Sequence, residues 1–287
     1  MTKKYTRWRH ILLALGALLL SPLANADGDL VMGVFPRRDA IETTRMFTPL
    51  AQHLTQVLGR TVRIETAKDF DSFWQGVTQK RYDLVHFNQY DYAKSHKEYS
   101  YQVILKNVEF GADTIAGALL VNKDSGINSL ADLKGKKIVF GGGRTAFLAY
   151  IVNTHVLRKA GLRSGDYVEE FAKSPPNAVL ATYFGQASAG GAGTGVLEQP
   201  LIKSKIDVTK MKYLVTSEPY ANLPWAVRGD MPVERRQRIQ SALADLSSSA
   251  EGRDILAKAA LTGLVAATNA EYDAARRIIR EVLNEKY

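Results

Sequence analysis

The stretch GINSLADLKGKKIVFGGGRTAFLAY, residues 126–150, contains the elements that decide the fold. Ser129 predicts the N-cap of a short helix. A Lys-Gly turn and the apolar run KIVF then predict a strand that ends in three consecutive glycines. An arginine, a threonine and a run typical of a helix follow. The stretch therefore predicts helix, strand and helix in direct succession, which indicates an α/β protein.

The same alternation precedes this stretch. The apolar run LVMGVF (residues 30–35) predicts a buried strand. Met46, Phe47, Leu50 and Leu54 then recur at helical spacing, and Gly59 predicts the end of that helix. A strand (TVRIETA, residues 61–67), a helix (DSFWQGVTQK, residues 71–80) and a strand (YDLVHF, residues 82–87) follow. This order predicts a mostly parallel sheet.

After an irregular middle, strands and helices alternate again between about residues 118 and 220, and amphipathic helices are predicted in residues 231–246 and 269–287. Neither a short repeat nor a low-complexity linker separates the two α/β units. We therefore expect two lobes that are joined by more than one strand crossing, with a cleft between them.

The N-terminus has the pattern of a cleaved secretory signal peptide, residues 1–26. Four basic residues precede an apolar run of about ten residues, and Ala24-Asn25-Ala26 has the small residues of a cleavage site. The alternative is an uncleaved anchor, but the run is short of the roughly 20 residues that cross a bilayer. We expect a periplasmic chain that begins near Asp27. Without cysteine, neither a lipid-anchored cysteine nor a disulfide framework is possible.

Charge and motifs exclude several kinds of function. Of 38 basic and 29 acidic residues, only four basic ones lie in the predicted signal, so the remaining chain has an excess of five positive charges. No basic run with interleaved aromatic residues occurs, which argues against nucleic-acid binding. The sequence has no Gly-x-Ser-x-Gly, His-Glu-x-x-His or Walker motif. We therefore expect a binding protein with no catalytic residues, no cofactor and no metal.

Four loops at predicted strand ends are candidates for the site, because ligands of α/β sheets bind beyond the carboxyl ends of strands. FPRRD (residues 35–39) contributes Arg37 and Arg38, and HFNQYDY (residues 86–92) is rich in polar aromatic groups. GGGRTAF (residues 141–147) and KSPPNA (residues 173–178) hold the equivalent positions in the second lobe. His86 has the alternative interpretation of a packed residue in a strand.

The loop GGGRTAF (residues 141–147), called the glycine corner below, has two interpretations. Glycines let backbone N–H groups approach an anion, and Arg144 and Thr145 would add side-chain donors. Alternatively, the corner is only a tight turn with Arg144 in solvent.

The order of several motifs resembles a known family. TPLAQHLTQVLG, YDLVHFNQYDYA, NKDSGINSLADLKGKKIVFGGG, HVLRKAGL and AVLATYFGQASAGGAG follow one another as in the periplasmic phosphonate, phosphite and phosphate substrate-binding proteins of ABC transporters. The resemblance implies the type II periplasmic binding protein fold, two α/β lobes joined by two crossover strands with the ligand cleft between them. Residues 27–117 and 222–287 would form the first lobe and residues 118–221 the second, with AGALLVNK and NLPWAVRG as crossovers.

The family also implies partners: a small ligand, and a membrane permease and an ATPase as separate chains, with the binding protein itself a monomer. The sequence departs from the family at the second-lobe site. The family's Ser-Thr-Ser type run is replaced by Arg144 and Thr145, its next-loop histidine by Pro176 or Asn177, and its later acidic residues by a stretch without a carboxylate. Tyr92 matches the family's first-lobe tyrosine. We therefore expect an anionic ligand and no capture of an aminoalkyl tail.

The predicted site residues fall into three groups. Second-lobe amides and side chains hold the charged head: Gly143, Arg144, Thr145 and Ala146. First-lobe residues close over it: Tyr92, Asn88 and Gln89. Arg37 and Asn177 are further candidates. Two alternatives have the same fold: a binding protein that signals to a membrane histidine kinase, and an exported enzyme that uses the cleft.

Overall fold

The computed structural model describes residues 28–287, so the predicted signal peptide and Asp27 lie outside the described residues. The first part of the chain forms β1 (Leu30–Val34), α1 (Ala40–Leu58), β2 (Val62–Thr66), α2 (Phe70–Thr78), β3 (Leu84–His86), α3 (Gln89–Tyr99) and β4 (Gln102–Val108). The middle forms β5 (Thr114–Asn122), β6 (Lys137–Gly141), a π-helix (Phe147–Val152), α4 (Asn153–Lys159), β7 (Val168–Ala172), α5 (Pro175–Tyr183), β8 (Ala189–Gly193), α6 (Pro200–Lys203) and β9 (Met211–Ala221). The last part forms β10 (Pro224–Val227), α7 (Val233–Ala244), α8 (Ala250–Lys258), β11 (Gly263–Ala266) and α9 (Asp273–Leu283).

These strands form two mixed sheets. The first has the order β11-β4-β10-β3-β1-β2, in which β1 is parallel to β2 and β3, and β10 is antiparallel to β3 and β4. The second has the order β7-β6-β8-β5-β9, in which β6 is parallel to β7 and β8, and β5 is antiparallel to β8 and β9. The α/β fold class predicted from the sequence is confirmed.

The chain passes between the two sheets twice, once between β4 and β5 and once between β9 and β10. The first passage is tied to the second, because the Asn222 N–H donates to the Asp113 carbonyl at 3.1 Å. Lys106 on β4 adds ion pairs to Asp113 at 2.8 Å and to Glu271 at 2.5 Å. These contacts therefore hold the two passages together next to Asp113. The predicted lobe boundaries at residues 117/118 and 221/222 stay a prediction.

Local sequence signals explain many of the elements. In α1, Met46, Phe47, Leu50 and Leu54 are buried, and Gly59 ends the helix with φ of 66°. Ser129 forms the expected capping box with Asp132 at a short 3-10 helix. The segment that the sequence indicates as irregular contains a regular strand: residues 102–108 form β4, which pairs with β10 and β11.

The glycine-rich run 189–193 is a fully buried strand, β8, in the middle of the second sheet. A Cβ on Gly190 would lie 2.6 Å from the Thr182 Oγ1, and one on Gly191 would lie 2.5 Å from the Ala149 carbonyl oxygen. The glycines therefore let two helical segments approach the strand backbone directly, which is the usual reason for glycine inside a strand. No helix within residues 28–287 is long and apolar enough to cross a membrane.

Candidate functional site

A cavity of about 50 Å³ lies between the loops of the two sheets. Its walls come from both halves of the fold. The first-sheet side contributes Phe35, Arg37, Phe70, Asn88, Gln89 and Leu223, and the second-sheet side contributes Gly141, Ala146, Phe147, Leu148, Ala149, Pro175, Gly193, Val196 and Gln199. Arg37 is the one charged residue among them. The cavity therefore has a cationic group on one wall and a largely apolar wall opposite.

Arg37 is oriented by a chain of buried polar groups. Its Nη1 donates to both carboxylate oxygens of Glu109, at 3.0 and 3.3 Å. The Asn107 Nδ2 donates to Glu109 Oε1 at 2.9 Å, and the Trp225 Nε1 donates to Asn107 Oδ1 at 2.8 Å. Burial acts to raise the pKa of Glu109, but Arg37 and the Asn107 hydrogen bond outweigh it, so that the pKa is lowered. Glu109 therefore stays ionised and fixes one edge of the guanidinium.

The other edge of Arg37 remains available. A guanidinium has five N–H donors, and only Nη1 is used by Glu109. Nε and Nη2 form no hydrogen bond within residues 28–287. This edge has the parallel geometry that binds two oxygens of a carboxylate, phosphonate or similar oxyanion.

Arg38 adds positive charge beside this site. It is half-buried and forms no ion pair within the described part of the chain. Burial and repulsion by Arg37 lower the pKa of Arg38 to about 10, so the side chain remains protonated at neutral pH. Glu109 and Glu42 act on Arg38 as opposite charges, and its guanidinium remains as a second cation beside Arg37.

His86 is a packed residue, as its alternative interpretation proposed. Its ring is stacked on Trp225 with centroids 4.4 Å apart, and the residue is 3% exposed. Burial, together with the charges of Arg37 and Arg38, holds the pKa of His86 well below its ordinary value. The ring is therefore neutral at physiological pH, and it does not line the cavity.

Asn88 and Gln89 line the cavity where α3 begins. Asn88 is the N-cap: its Oδ1 accepts from the Asp91 N–H at 2.9 Å, and its Nδ2 donates to Asp91 Oδ2 at 2.7 Å. Gln89 is fully buried, and its Nε2 donates to the Ala221 carbonyl at 3.0 Å. Its Oε1 has no partner within residues 28–287. The Asn88 side chain thus caps α3, whereas the Gln89 side chain keeps one oxygen without a hydrogen bond.

The second-sheet wall contains residues that the sequence analysis missed. Phe147 and Leu148 begin the π-helix and give this wall its apolar character, and Gln199 adds an amide just before α6. The departure from the family's hydroxyl-bearing run, which has Arg144 and Thr145 in its place, was visible in the sequence. What was not visible is that the apolar side chains, and not Arg144, line the cavity.

The glycines of the glycine corner allow close packing and a tight turn at the end of β6. A Cβ on Gly141 would lie 2.3 Å from the Pro175 Cα, so the end of β6 requires glycine to let α5 approach. Gly142 has φ of 110°, which side-chain-bearing residues rarely adopt. Gly143 is exposed, and the Ala146 N–H donates to the Gly143 carbonyl at 3.0 Å. Of the four predicted corner residues, only Ala146 lines the cavity, and its N–H is already used.

The structure places Arg144 away from the cavity. Its side chain is 63% exposed, and its Nη2 pairs with Glu169 Oε2 at 3.0 Å. Its Nη1 donates to the Tyr150 hydroxyl at 2.6 Å, and the guanidinium lies over the Phe171 ring. These partners belong to β7 and the π-helix, and neither Arg144 nor Thr145 lines the cavity. A nearby acid and two aromatic rings hold the arginine there.

Tyr92 and Asn177 are also placed elsewhere. Tyr92 is fully buried, its hydroxyl donates to Asn269 Oδ1 at 2.8 Å, and its ring packs edge-on against Tyr272. Asn177 is exposed in the first turn of α5. Neither residue lines the cavity, so of the predicted residues the structure brings together Arg37, Asn88, Gln89 and Ala146.

No group of three or more histidine, aspartate or glutamate side chains that could hold a metal ion occurs in residues 28–287. The groups that line the cavity are instead a guanidinium edge, amides and apolar carbon.

Several solved structures have a similar fold. A binding protein component of an ABC phosphonate transporter from Pseudomonas aeruginosa is 17% identical, with a TM-score of 0.79 over 89% of this chain and 87% of that one. PhnD1 from Prochlorococcus marinus (MIT 9301), in complex with methylphosphonate, is 18% identical, with a TM-score of 0.80 over 89% and 98%. A histidine kinase sensor domain is 16% identical, with a TM-score of 0.54 over 82% and 97%.

These identities establish the fold and no more. The family is established by the sequence itself. The family model of the periplasmic substrate-binding protein of phosphonate ABC transporters matches residues 32–272, most of the chain. The chain therefore belongs to the phosphonate-binding family of periplasmic substrate-binding proteins of ABC transporters.

Proposed function

We propose that this protein captures a small oxyanion in the cavity between its two sheets and delivers it to an ABC permease. Proteins of this class bind small ligands and partner with a permease and an ATPase. The observation that carries the proposal is the unpaired Nε and Nη2 edge of Arg37 on a cavity wall whose lining includes no acid. Arg38 adds a second protonated guanidinium beside Arg37, which favours an anion.

The proposed ligand-binding residues are Arg37 and Gln89, with Asn88 holding the end of α3 in place. Arg37 binds the charged head through two parallel hydrogen bonds. Ala146, Phe147 and Leu148 form the apolar wall opposite Arg37. Gly143, Arg144, Thr145, Tyr92 and Asn177 are not part of this proposed set, because none of them lines the cavity.

The direct test is calorimetric titration with methylphosphonate, phosphite, phosphate and sulfate. Charged hydrogen bonds contribute about 1.5–3 kcal/mol, so Arg37→Met should weaken binding by roughly one to two orders of magnitude. Since this change leaves Glu109 buried without its cation, the variant Arg37→Met/Glu109→Gln is measured beside it, and both melting temperatures are recorded. If no anion of the panel binds the wild-type protein, the proposal is wrong.

We also propose that residues 1–26 are removed on export, that the protein acts as a monomer, and that it does not transform its ligand. The signal pattern, the absence of catalytic motifs in the sequence and the membership of a transport family support this. Mass spectrometry of the exported protein should give an N-terminus at Asp27, and light scattering should give one chain. Ligand recovered after long incubation should be unchanged.

A sensory role is the second candidate, because a histidine kinase sensor domain has a similar fold. Uptake of the ligand by cells that lack this protein separates the two roles. Loss of uptake supports transport, whereas unchanged uptake with a lost transcriptional response supports sensing.

A further inference from the structure

We propose that Phe110 stabilises the closed arrangement of the two sheets and thereby sets how slowly a bound ligand leaves the cavity. The inference rests on the proposed function, and it gives a role to a residue that does not itself line the cavity. It is carried by the contact between the Phe110 ring and Gly195, which joins the turn after β4 to the segment after β8.

Phe110 occupies a turn position that local preferences favour for another residue. Residues 109–112 form a tight turn, in which Glu109 and Ala112 exchange both backbone hydrogen bonds, at 2.9 and 3.0 Å. Phe110 and Gly111 have φ of 52° and 80°, the left-handed pair of a type I′ turn, for which Asn-Gly is preferred. A bulky side chain at positive φ is uncommon. The turn itself therefore does not explain the phenylalanine.

Burial in a core does not explain the phenylalanine either, because Phe110 is 59% exposed. Its ring lies directly against the backbone of Gly195: a Cβ on that glycine would lie 2.7 Å from the Phe110 Cε2 and 3.1 Å from its Cδ2. Gly195 has φ of 80°, a conformation that glycine adopts without strain. The ring is therefore placed to pack on the glycine of the opposite segment.

The two partners of this contact are tied to different sheets. The Gly111 N–H donates to Thr262 Oγ1 at 3.1 Å, next to β11, which ties the turn to the first sheet. The Thr194 N–H donates to the Ala116 carbonyl of β5 at 2.8 Å, which ties the segment after β8 to the second sheet. Only residues 112–115 connect the two anchors along this passage. A hinge rotation at this passage would therefore change the contact between the ring and its glycine.

The contact lies beside both walls of the cavity. On the first-sheet side, Phe110 follows Glu109, which holds the cavity-lining Arg37. On the second-sheet side, Gly193 and Val196, which flank the contacted glycine in the chain, also line the cavity. When these walls move apart to release a ligand, the ring has to leave its glycine and expose apolar surface to water. This exposure costs free energy and opposes opening.

The test replaces Phe110 by the residue that the turn prefers. Phe110→Asn suits positive φ and removes the ring, so the melting temperature should not fall. Stopped-flow mixing uses the tightest-binding anion among methylphosphonate, phosphite, phosphate and sulfate. The dissociation rate constant should rise about 10-fold, as expected when part of a phenylalanine loses its apolar contact, and the association rate constant should change by less than about three-fold. Phe110→Tyr keeps the ring and should behave like the wild type.

A second readout needs no ligand. The chain has no cysteine, so Lys68→Cys and Asn177→Cys provide two exposed attachment points for spin labels. These positions lie two residues from Phe70 and Pro175, which line opposite walls of the cavity. Double electron–electron resonance should show longer distances between the labels in Phe110→Asn than in the same labelled protein with Phe110 intact.

Phe184→Asn is the control, because Phe184 is a phenylalanine of similar exposure, 62%, that lies outside the cavity. It should change neither the rate constants nor the label distances. An unchanged dissociation rate or unchanged label distances in Phe110→Asn, or equal changes in Phe184→Asn, overturn this inference and leave the proposed function standing. If no anion of the panel binds the wild type, the proposed function fails, and the label distances alone decide whether Phe110 stabilises the closed arrangement.

Discussion

The guanidinium of Arg37 has two edges. One edge binds Glu109, and the other faces the cavity. Such a residue combines two roles, because the ion pair with the buried Glu109 fixes the direction of the remaining donors. Asn107 and Trp225 extend the same chain into the first sheet. The donors that would hold a ligand are therefore oriented before the ligand arrives, which lowers the entropy lost on binding.

At the residue scale, the variant Arg144→Ala is the negative control for Arg37→Met. Arg144→Ala should leave the dissociation constant for methylphosphonate unchanged within about two-fold, because its partners lie on β7 and the π-helix. Its exposed ion pair with Glu169 contributes about 0.2–1 kcal/mol to stability. If Arg144→Ala lost as much affinity as Arg37→Met, the ligand would bind at the glycine corner and not beside Arg37.

Asp91 predicts a pH effect on stability. Burial raises the pKa of its carboxyl group to about 7, from an ordinary value of 3.8. Between these two values the folded state holds a proton that the unfolded state has lost, so the free energy of unfolding falls as the pH rises through this window. Above pH 7 the contribution of this group is constant.

The measurement is urea unfolding of wild type and Asp91→Asn at about pH 5 and about pH 8. The wild type should lose about 1–3 kcal/mol relative to the variant between the two conditions. If the difference between the two proteins is the same at both pH values, the carboxyl group is not protonated in the fold.

At the scale of elements, the end of β6 and the start of α5 are joined by contact between Gly141 and Pro175. Gly141→Ala places a methyl group 2.3 Å from a backbone atom, and overpacking of this kind costs about 1–3 kcal/mol. Gly143→Ala is the matched control, because its Cβ would meet nothing within 4 Å. Thermal unfolding should separate the two variants, and equal melting temperatures would contradict the packing explanation.

The elements themselves were largely predictable, and the reasons are local. Periodic apolar residues specify α1, and a serine cap specifies the helix at Ser129. The roles of Gly190 and Gly191 were not predictable, since they depend on helices that approach from distant parts of the chain. For the same reason the sequence placed Arg144 at the cavity, although Glu169, 25 residues further on, holds it elsewhere.

Loop position nevertheless predicted part of the candidate site. Arg37, Asn88 and Gln89 follow the ends of β1 and β3, which are neighbours in the first sheet, so their convergence follows from topology. Tyr92 comes only one helical turn after Asn88, and this turn directs it into the core. The use of each polar atom, such as the unpaired Gln89 Oε1, depends on contacts with Ala221 that no local pattern encodes.

At the scale of the whole molecule, one hydrophobic cluster joins segments from both halves of the fold. It includes Tyr90 of α3, Phe147 and Ile151 of the π-helix, and Ile278 and Ile279 of α9. The C-terminal helix is also tied to each side, through the Tyr90 hydroxyl to Glu285 and through Arg158 to the last carbonyls of α9. Each half also has apolar clusters of its own, but this cluster packs residues of both halves against one another.

This shared cluster predicts one cooperative unfolding transition. Scanning calorimetry should give equal calorimetric and van't Hoff enthalpies, and near- and far-ultraviolet dichroism should melt together. A saturating ligand at about 100 times its dissociation constant should stabilise the whole molecule by about 2.7 kcal/mol. Two separate transitions would show that the lobes unfold independently.

The central claim is that an oxyanion is held between the two sheets by Arg37. A crystal structure of the protein grown with methylphosphonate tests it most directly. We predict the phosphonate in the cavity, with two oxygens within hydrogen-bond distance of the Arg37 Nε and Nη2 and its methyl group toward Phe147. A phosphonate bound at Arg144, or a cavity that stays without ligand at saturating concentration, would contradict the account.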